Sequence, residues 1–388
     1  MEATGQPRLS SYQIGISWTT VGAGGSARVF LDLATGLPAA GVSFAGAVAS
    51  PFNAGHLSGG TVAGFAPEGA GSVARLIAAR RVMLAAIDRT APDLIASHFA
   101  LFAAPILDRL KRRVHVVHFH GPWAAESQIE GAGRASVLGK LMLERQVYST
   151  ANRVIVLSEA FAKIAHLDYG IPREIIRIVP GAVDVGRFNI VQSRSEARER
   201  LGWPSDRRIV VSVRRLVSRM GLDRLIDAFA AIHQAHPDVV LYLVGKGRLR
   251  TELEQRAAAL NLTEKIRFQG FVPDGQLPLV YRAADLSIVP TVALEGFGLV
   301  AAESLAAGTP CVVTPVGGLP DIVSGLSSDL VLRSIDTSSL ADGLSRFLSG
   351  AVELPSDSRC LEHVSKHFTL DLMAQKTAAV YREAVGTL

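Results

Sequence analysis

Two glutamates eight positions apart, Glu295 and Glu303, bracket a run that contains Glu295-Gly296-Phe297-Gly298-Leu299-Val300. Ionised carboxylates only accept hydrogen bonds, which suits them to the hydroxyls of a sugar or a ribose. An apolar run ends near Pro290 and a helical pattern begins at about Gly298, so Phe297, Gly298, Leu299 and Val300 form a helix start. Free backbone amides there, aided by the helix dipole, suit a diphosphate, and glycine lets the backbone approach it closely. Upstream, Arg214, Arg215 and Arg219 fall within six positions after another apolar run. Fixed guanidinium groups stabilise the charge that grows on a departing diphosphate. The segment VVHFHGPWAAES, 116–127, sets His118 and His120 at a strand end. A neutral imidazole in such a place hydrogen-bonds a sugar or an incoming hydroxyl. No carboxylate or further histidine completes metal-ligand spacing beside them, so no metal is expected. Gly24 and Gly25 lie in a glycine-rich loop after the first apolar run. Each feature also has a plainer reading, as a strand–helix turn, a solvated basic loop or a structural histidine.

Positioning these residues requires strands that end where they begin. Short apolar runs at 13–18, 94–97, 114–118 and 154–157 alternate with helical patterns in the first half. Runs at 209–213, 239–244, 266–269, 286–290 and 310–314 repeat the arrangement in the second. Apolar strands separated by helices predict an α/β protein with parallel sheets covered on both faces, and most of the chemistry-bearing residues follow strand ends. The expected organisation is an N-terminal domain over 1–185, a charged linker over 186–207 and a C-terminal domain over 208–365. An amphipathic helix within 366–388 is expected to pack back on the first domain.

Composition excludes several function classes. The 388 residues are 48% hydrophobic and 19% charged, the reverse of the bias of a disordered chain. Net charge is 40 − 35 = +5, far from the dense basic stripe of a nucleic-acid binder. The two cysteines, Cys311 and Cys360, make no disulfide framework and predict reduced thiols in a cytoplasmic protein. The longest run without Asp, Glu, Lys or Arg, 33–67, is broken by Pro38, Pro51 and glycines, and no transmembrane segment is expected. Basic clusters at 75–81 and 109–113 fit solvated helix faces, and equally a peripheral contact with anionic lipid on the inner face of a membrane.

The segment 290–323, PTVALEGFGLVAAESLAAGTPCVVTPVGGLPDIV, resembles the donor-binding signature of retaining glycosyltransferases of the GT-B fold, glycosyltransferase family 4. The segments 157–188, 211–229 and 241–290 are similar to other parts of that family, so the likeness covers roughly 110–320. It implies two doubly wound Rossmann-like domains facing a central cleft, an acceptor-binding one followed by one that binds a nucleoside diphosphate sugar. The implied activity is transfer of a hexosyl unit, from UDP- or GDP-sugar, with retention and no cofactor. The acceptor is the hydroxyl of a saccharide, lipid-linked saccharide or small molecule, in cell-surface polysaccharide or glycolipid assembly. The resemblance makes His120, Glu295 and Arg215 the catalytic residues. It assigns Gly24, Gly25, His118, Arg219, Phe297, Gly298, Leu299, Val300 and Glu303 to substrate binding. The chain departs from the family at Met220, where a lysine usually stands, and Arg219 is expected to supply the missing charge. A non-catalytic GT-B partner subunit and a sugar-nucleotide epimerase on a related fold are the alternatives. A nicotinamide oxidoreductase is disfavoured, because Ala27 replaces the last glycine of the dinucleotide fingerprint and no acidic residue follows about 20 positions on.

Overall fold

Runs with no polar alternation bury both faces only in a sheet sandwiched by helices. The computed structural model, which describes residues 9–19 and 24–386, contains two such sheets. The chain divides into two compact units, Met1–Gly181 with Leu370–Leu388, and Ala182–Thr369. The first unit holds β1 (Leu9–Ser17), β2 (Val42–Ser50), β3 (Val62–Gly64), β4 (Leu94–Ser97), β5 (His115–Phe119), β6 (Arg153–Val156) and β7 (Ile176–Ile178). They pair in parallel in the order β3-β2-β1-β4-β5-β6-β7. The second unit holds β8 (Arg208–Val213), β9 (Val239–Val244), β10 (Ile266–Gly270), β11 (Leu286–Val289) and β12 (Cys311–Val313), parallel in the order β10-β9-β8-β11-β12.

Both orders contain a reversal, between β1 and β4 in the first sheet and between β8 and β11 in the second. Crossovers leave that point in opposite directions, which opens a crevice at the carboxyl ends of the two strands. Every charged or imidazole candidate follows such an end or lies on the strand or helix next to it.

One segment differs from the expected organisation. Residues 186–207 belong to the second unit and are not a free linker. Ser193 and Glu196 form a reciprocal capping box that starts the helix Arg194–Leu201. The buried Arg198 then donates to the Ala283 and Arg207 carbonyls and to the Asp285 carboxylate at 2.6–3.0 Å. The charge density that suggests a linker is thus partly an anchor. The C-terminal helix Leu370–Gly386 groups with the first unit and inserts the fully buried Tyr381 against β1 and β5. Its Glu383 pairs with Arg153 and Arg177. No helix among the described residues is long and apolar enough to cross a membrane.

Candidate functional site

In the second unit, Arg214 and Arg215 follow the end of β8. Arg215 is exposed, and its guanidinium makes no hydrogen bond or ion pair among the described residues. Arg214 turns inward. Its Nη2 lies 2.5 Å from Glu295 Oε2, 2.6 Å from Thr291 Oγ1 and 2.7 Å from Met220 Sδ, while its buried Nε has no acceptor. The chain returns to this spot because Gly221 takes φ +67° against the Pro290 carbonyl, where a Cβ would collide.

The Arg219 side chain turns toward the loop after β11. It is buried, and its Nη1 donates to the Leu294 carbonyl at 2.8 Å, while its own carbonyl accepts from Val292 N. It therefore braces the loop that carries Glu295. The guanidinium against Met220 is that of Arg214, six residues earlier, since neighbours in a tight turn diverge.

After β11, Gly298 at φ +95° opens the helix Leu299–Ala306, packed where a Cβ would overlap Leu319. No side chain caps this helix and its first turn holds no acid, so the amides of Leu299 and Val300 are available to an anion. Phe297 is buried and packs its ring on Phe368 at 5.6 Å, which makes it a support of the loop. Glu303 is buried one turn into the helix and accepts from the Tyr281 hydroxyl at 3.1 Å. Burial, with the Glu303 charge next to it, pushes the Tyr281 hydroxyl pKa well up, so Tyr281 stays a donor.

In the first unit, parallel pairing of Ser97 with Val117 sets His98 beside His118. Their rings stack at 4.2 Å, and His120 joins the stack at 5.2 Å from His98. His98 Nδ1 is 2.9 Å from His120 Nε2, His98 Nε2 is 3.0 Å from Gln13 Oε1, and His118 Nε2 is 2.7 Å from the Tyr381 hydroxyl. The expectation that no further histidine approaches His118 and His120 is therefore corrected: donor atoms of all three lie within 4.8 Å of one another. Four of the six ring nitrogens are bonded to each other, to an amide or to a phenol, which makes the three rings part of a hydrogen-bonded chain. Burial drives the His120 pKa down to about 4. Burial, reinforced by the neighbouring imidazoles, holds His98 and His118 well below the ordinary range. All three are neutral near pH 7.

His120 is followed by Gly121 and Pro122, and the helix Trp123–Ile129 begins under the control of Glu144. This buried carboxylate accepts from the Trp123 and Ala124 amides at 2.9 and 3.1 Å and from the Tyr169 and Tyr148 hydroxyls. Burial raises its pKa in spite of those donors. Gly24 and Gly25 are exposed at the uncapped start of the helix Gly25–Ala39. The rest of their loop, residues 20–23 with Gly22, lies outside the described residues.

Sequence reasoning missed His98, Gln13, Tyr381, Arg214's inward turn and Glu144. Only a strand-end position after 94–97 signalled the first of these, and the sheet order was needed to use it.

Comparison with known proteins gives a consistent set of similarities. The pattern of the family described as Glycosyl transferases group 1 matches residues 193–361, and that of Glycosyltransferase Family 4 matches 23–187. A mannosylfructose-phosphate synthase of Agrobacterium fabrum is 33% identical over 190 residues, which are 46% of this chain and 41% of that protein. The chain thus spans less than half the length of that relative. A D-inositol 3-phosphate glycosyltransferase of Salinispora arenicola is 31% identical over 311 residues, 76% of this chain and 69% of that protein. The structure of Anabaena Alr3699/HepE in complex with UDP and glucose superposes with TM-score 0.78 at 21% identity, covering 97% of this chain and all of the other.

Proposed function

This chain belongs to the GT-B glycosyltransferases of family 4, and from that premise we propose that it moves a hexosyl unit from a nucleoside diphosphate sugar to an acceptor hydroxyl with retention. The observation that carries the reading is the juxtaposition at the β8/β11 reversal of exposed Arg215, buried Arg214 and an uncapped helix start. Together these present two guanidinium groups and free amides to one dianion.

The second unit holds the donor. Arg215 and the Leu299 and Val300 amides receive the diphosphate, and Arg214 holds positive charge behind it while neutralising Glu295. Glu303 and Glu295 accept from hydroxyls of the nucleoside and the transferred sugar. The first unit, through His120, receives a hydroxyl of the sugar or of the acceptor. The sugar C1–O bond to the diphosphate breaks as the acceptor oxygen bonds to C1 on the same face, and the acceptor's proton passes to the departing phosphate oxygen. Positioning and charge stabilisation are then the protein's whole task. Since Glu295 is already bound to Arg214 and Glu303 to Tyr281, neither is set as the nucleophile of a two-carboxylate mechanism.

UDP-hexose is the first donor to test and GDP-hexose the second, because the HepE structure holds UDP and glucose. Exposed Val73 and Ile77, on the helix Ser72–Thr90 that also carries Arg75 and Arg81, support a peripheral contact with an anionic bilayer, which vesicle sedimentation tests. Calorimetric titration of UDP and GDP checks the donor site. Glu303→Gln removes a charge-assisted acceptor worth about 1.5–3 kcal/mol, a fall in affinity of roughly ten- to hundred-fold. Unchanged affinity in that variant, or no affinity of the parent chain for either nucleotide, would refute the assignment.

A further inference from the structure

The buried polar groups beneath His120 form a chain whose hydrogen-bond directions follow from one fixed point. That point is the Ser43 backbone carbonyl, which can only accept. Ser11 donates its hydroxyl to it at 2.7 Å. The Ser11 oxygen then accepts from Gln13 Nε2 at 2.9 Å, and this sets the orientation of the amide. The Tyr381 hydroxyl lies 3.1 Å from Nε2 and 3.2 Å from Oε1, and as both donor and acceptor it accommodates either orientation, so the Ser11 contact decides it. Gln13 Oε1 therefore faces His98 Nε2 at 3.0 Å, and since the amide oxygen cannot donate, His98 carries its proton on Nε2. A neutral His98 then has a bare Nδ1. His120 Nε2 lies 2.9 Å from it and must donate.

We propose that the chain Ser43–Ser11–Gln13–His98 locks His120 as the Nε2–H tautomer, so that its Nδ1 is a fixed acceptor for a hydroxyl hydrogen of the bound saccharide. Gln13 and His98 are positioning residues that touch no substrate. His120 is part-exposed, and its Nδ1 takes no hydrogen bond among the described residues. A bare ring nitrogen receives O–H donors and rejects acceptors, so the site distinguishes a hydroxyl from an ether or carbonyl oxygen at the same place. Tyr381 places the C-terminal helix in the same network, since its hydroxyl contacts both Gln13 and His118. The choice of a saccharide as ligand rests on the function proposed above; the tautomer does not.

The test is a long-range proton–nitrogen correlation spectrum of the full chain, ligand-free at pH 7.5, labelled with ring-15N histidine. The His120 signals are identified by their loss in His120→Asn. The expected result is a protonated Nε2 and a bare Nδ1 in one tautomer. A proton on Nδ1, or comparable amounts of both tautomers, overturns the proposal. Gln13→Leu removes the anchor and should give a tautomer mixture, with turnover lowered about ten-fold and UDP affinity changed by less than about two-fold. If Gln13→Leu leaves both the spectrum and turnover as in the parent, the positioning role is refuted. A locked tautomer in a chain that turns over no sugar nucleotide would sink the proposed function and leave the hydrogen-bond chain standing. Hexosyl transfer with Nδ1 protonated would do the reverse.

Discussion

Arg214→Met separates the two duties assigned to Arg214. The guanidinium side chain is 6% exposed and Glu295 16%, with 2.5 Å between Nη2 and Oε2. Charge centres about 4 Å apart attract by roughly 4 kcal/mol at an effective dielectric constant near 20. Removing one member of a buried pair costs about 3–5 kcal/mol, because the survivor is left uncompensated. Water reaches part of Glu295, so we expect about 2–3 kcal/mol, read as a lower urea midpoint with unchanged slope. UDP affinity should fall about ten-fold, or about 1.4 kcal/mol. Met220→Lys in the parent chain places a second cation where Sδ already lies 2.7 Å from Nη2, and should itself be destabilising. In the Arg214→Met background the same lysine meets only Glu295 and should restore at least half of the lost stability and affinity. The two substitutions therefore have a large coupling energy of opposite sign to their separate effects. If Arg214→Met is neutral, or if Met220→Lys is silent in both backgrounds, Arg214 is not the cation of this site.

Acid should destabilise the first unit. His115 and His120 have folded pKa values lowered to about 3 and about 4, chiefly by burial, against 6.5 for the free side chain. Between pH 6.5 and 4 the unfolded chain binds protons that the folded chain refuses, so stability is full above about pH 6.5 and falls as pH drops. His120 alone accounts for about 3 kcal/mol by pH 4. Thermal melts at pH 7.5, 5.5 and 4.5 check this, and a melting temperature independent of pH would contradict it. In the proposed arrangement guanidinium groups and helix amides hold the diphosphate, so dialysis against a chelator should change transfer by less than about two-fold, whereas an absolute need for a divalent ion would reassign the site.

Much of the proposed donor site was legible because its residues are close in sequence. The run 290–303 carries its loop, its helix start and both glutamates within one strand–helix turn, and β9 and β4 lie where the apolar runs 239–244 and 94–97 predict. The strand Val42–Ser50 was not, since VSFAGAVAS is made mostly of Ala, Gly and Ser and has weak β character despite being buried. His98 was missed for a different reason. It is 20 positions from His118, and only the parallel pairing of β4 with β5 brings them into contact. Arg214 reads as one more charge in a basic loop until the Gly221 turn folds Met220 and Thr291 against it. Glu144 reads as a solvated helix charge, because its four donors come from three separate segments.

The most direct measurement follows both products of the reaction. The chain is incubated with α-linked UDP- and GDP-hexoses and a panel of hydroxyl acceptors. Released nucleoside diphosphate is quantified, and the anomeric proton coupling of the glycoside is read by NMR. The expected result is stoichiometric nucleotide release with an α-linked product. A β-linked product would contradict same-face transfer, and no release from any donor, with the fold intact, would contradict the proposed activity itself.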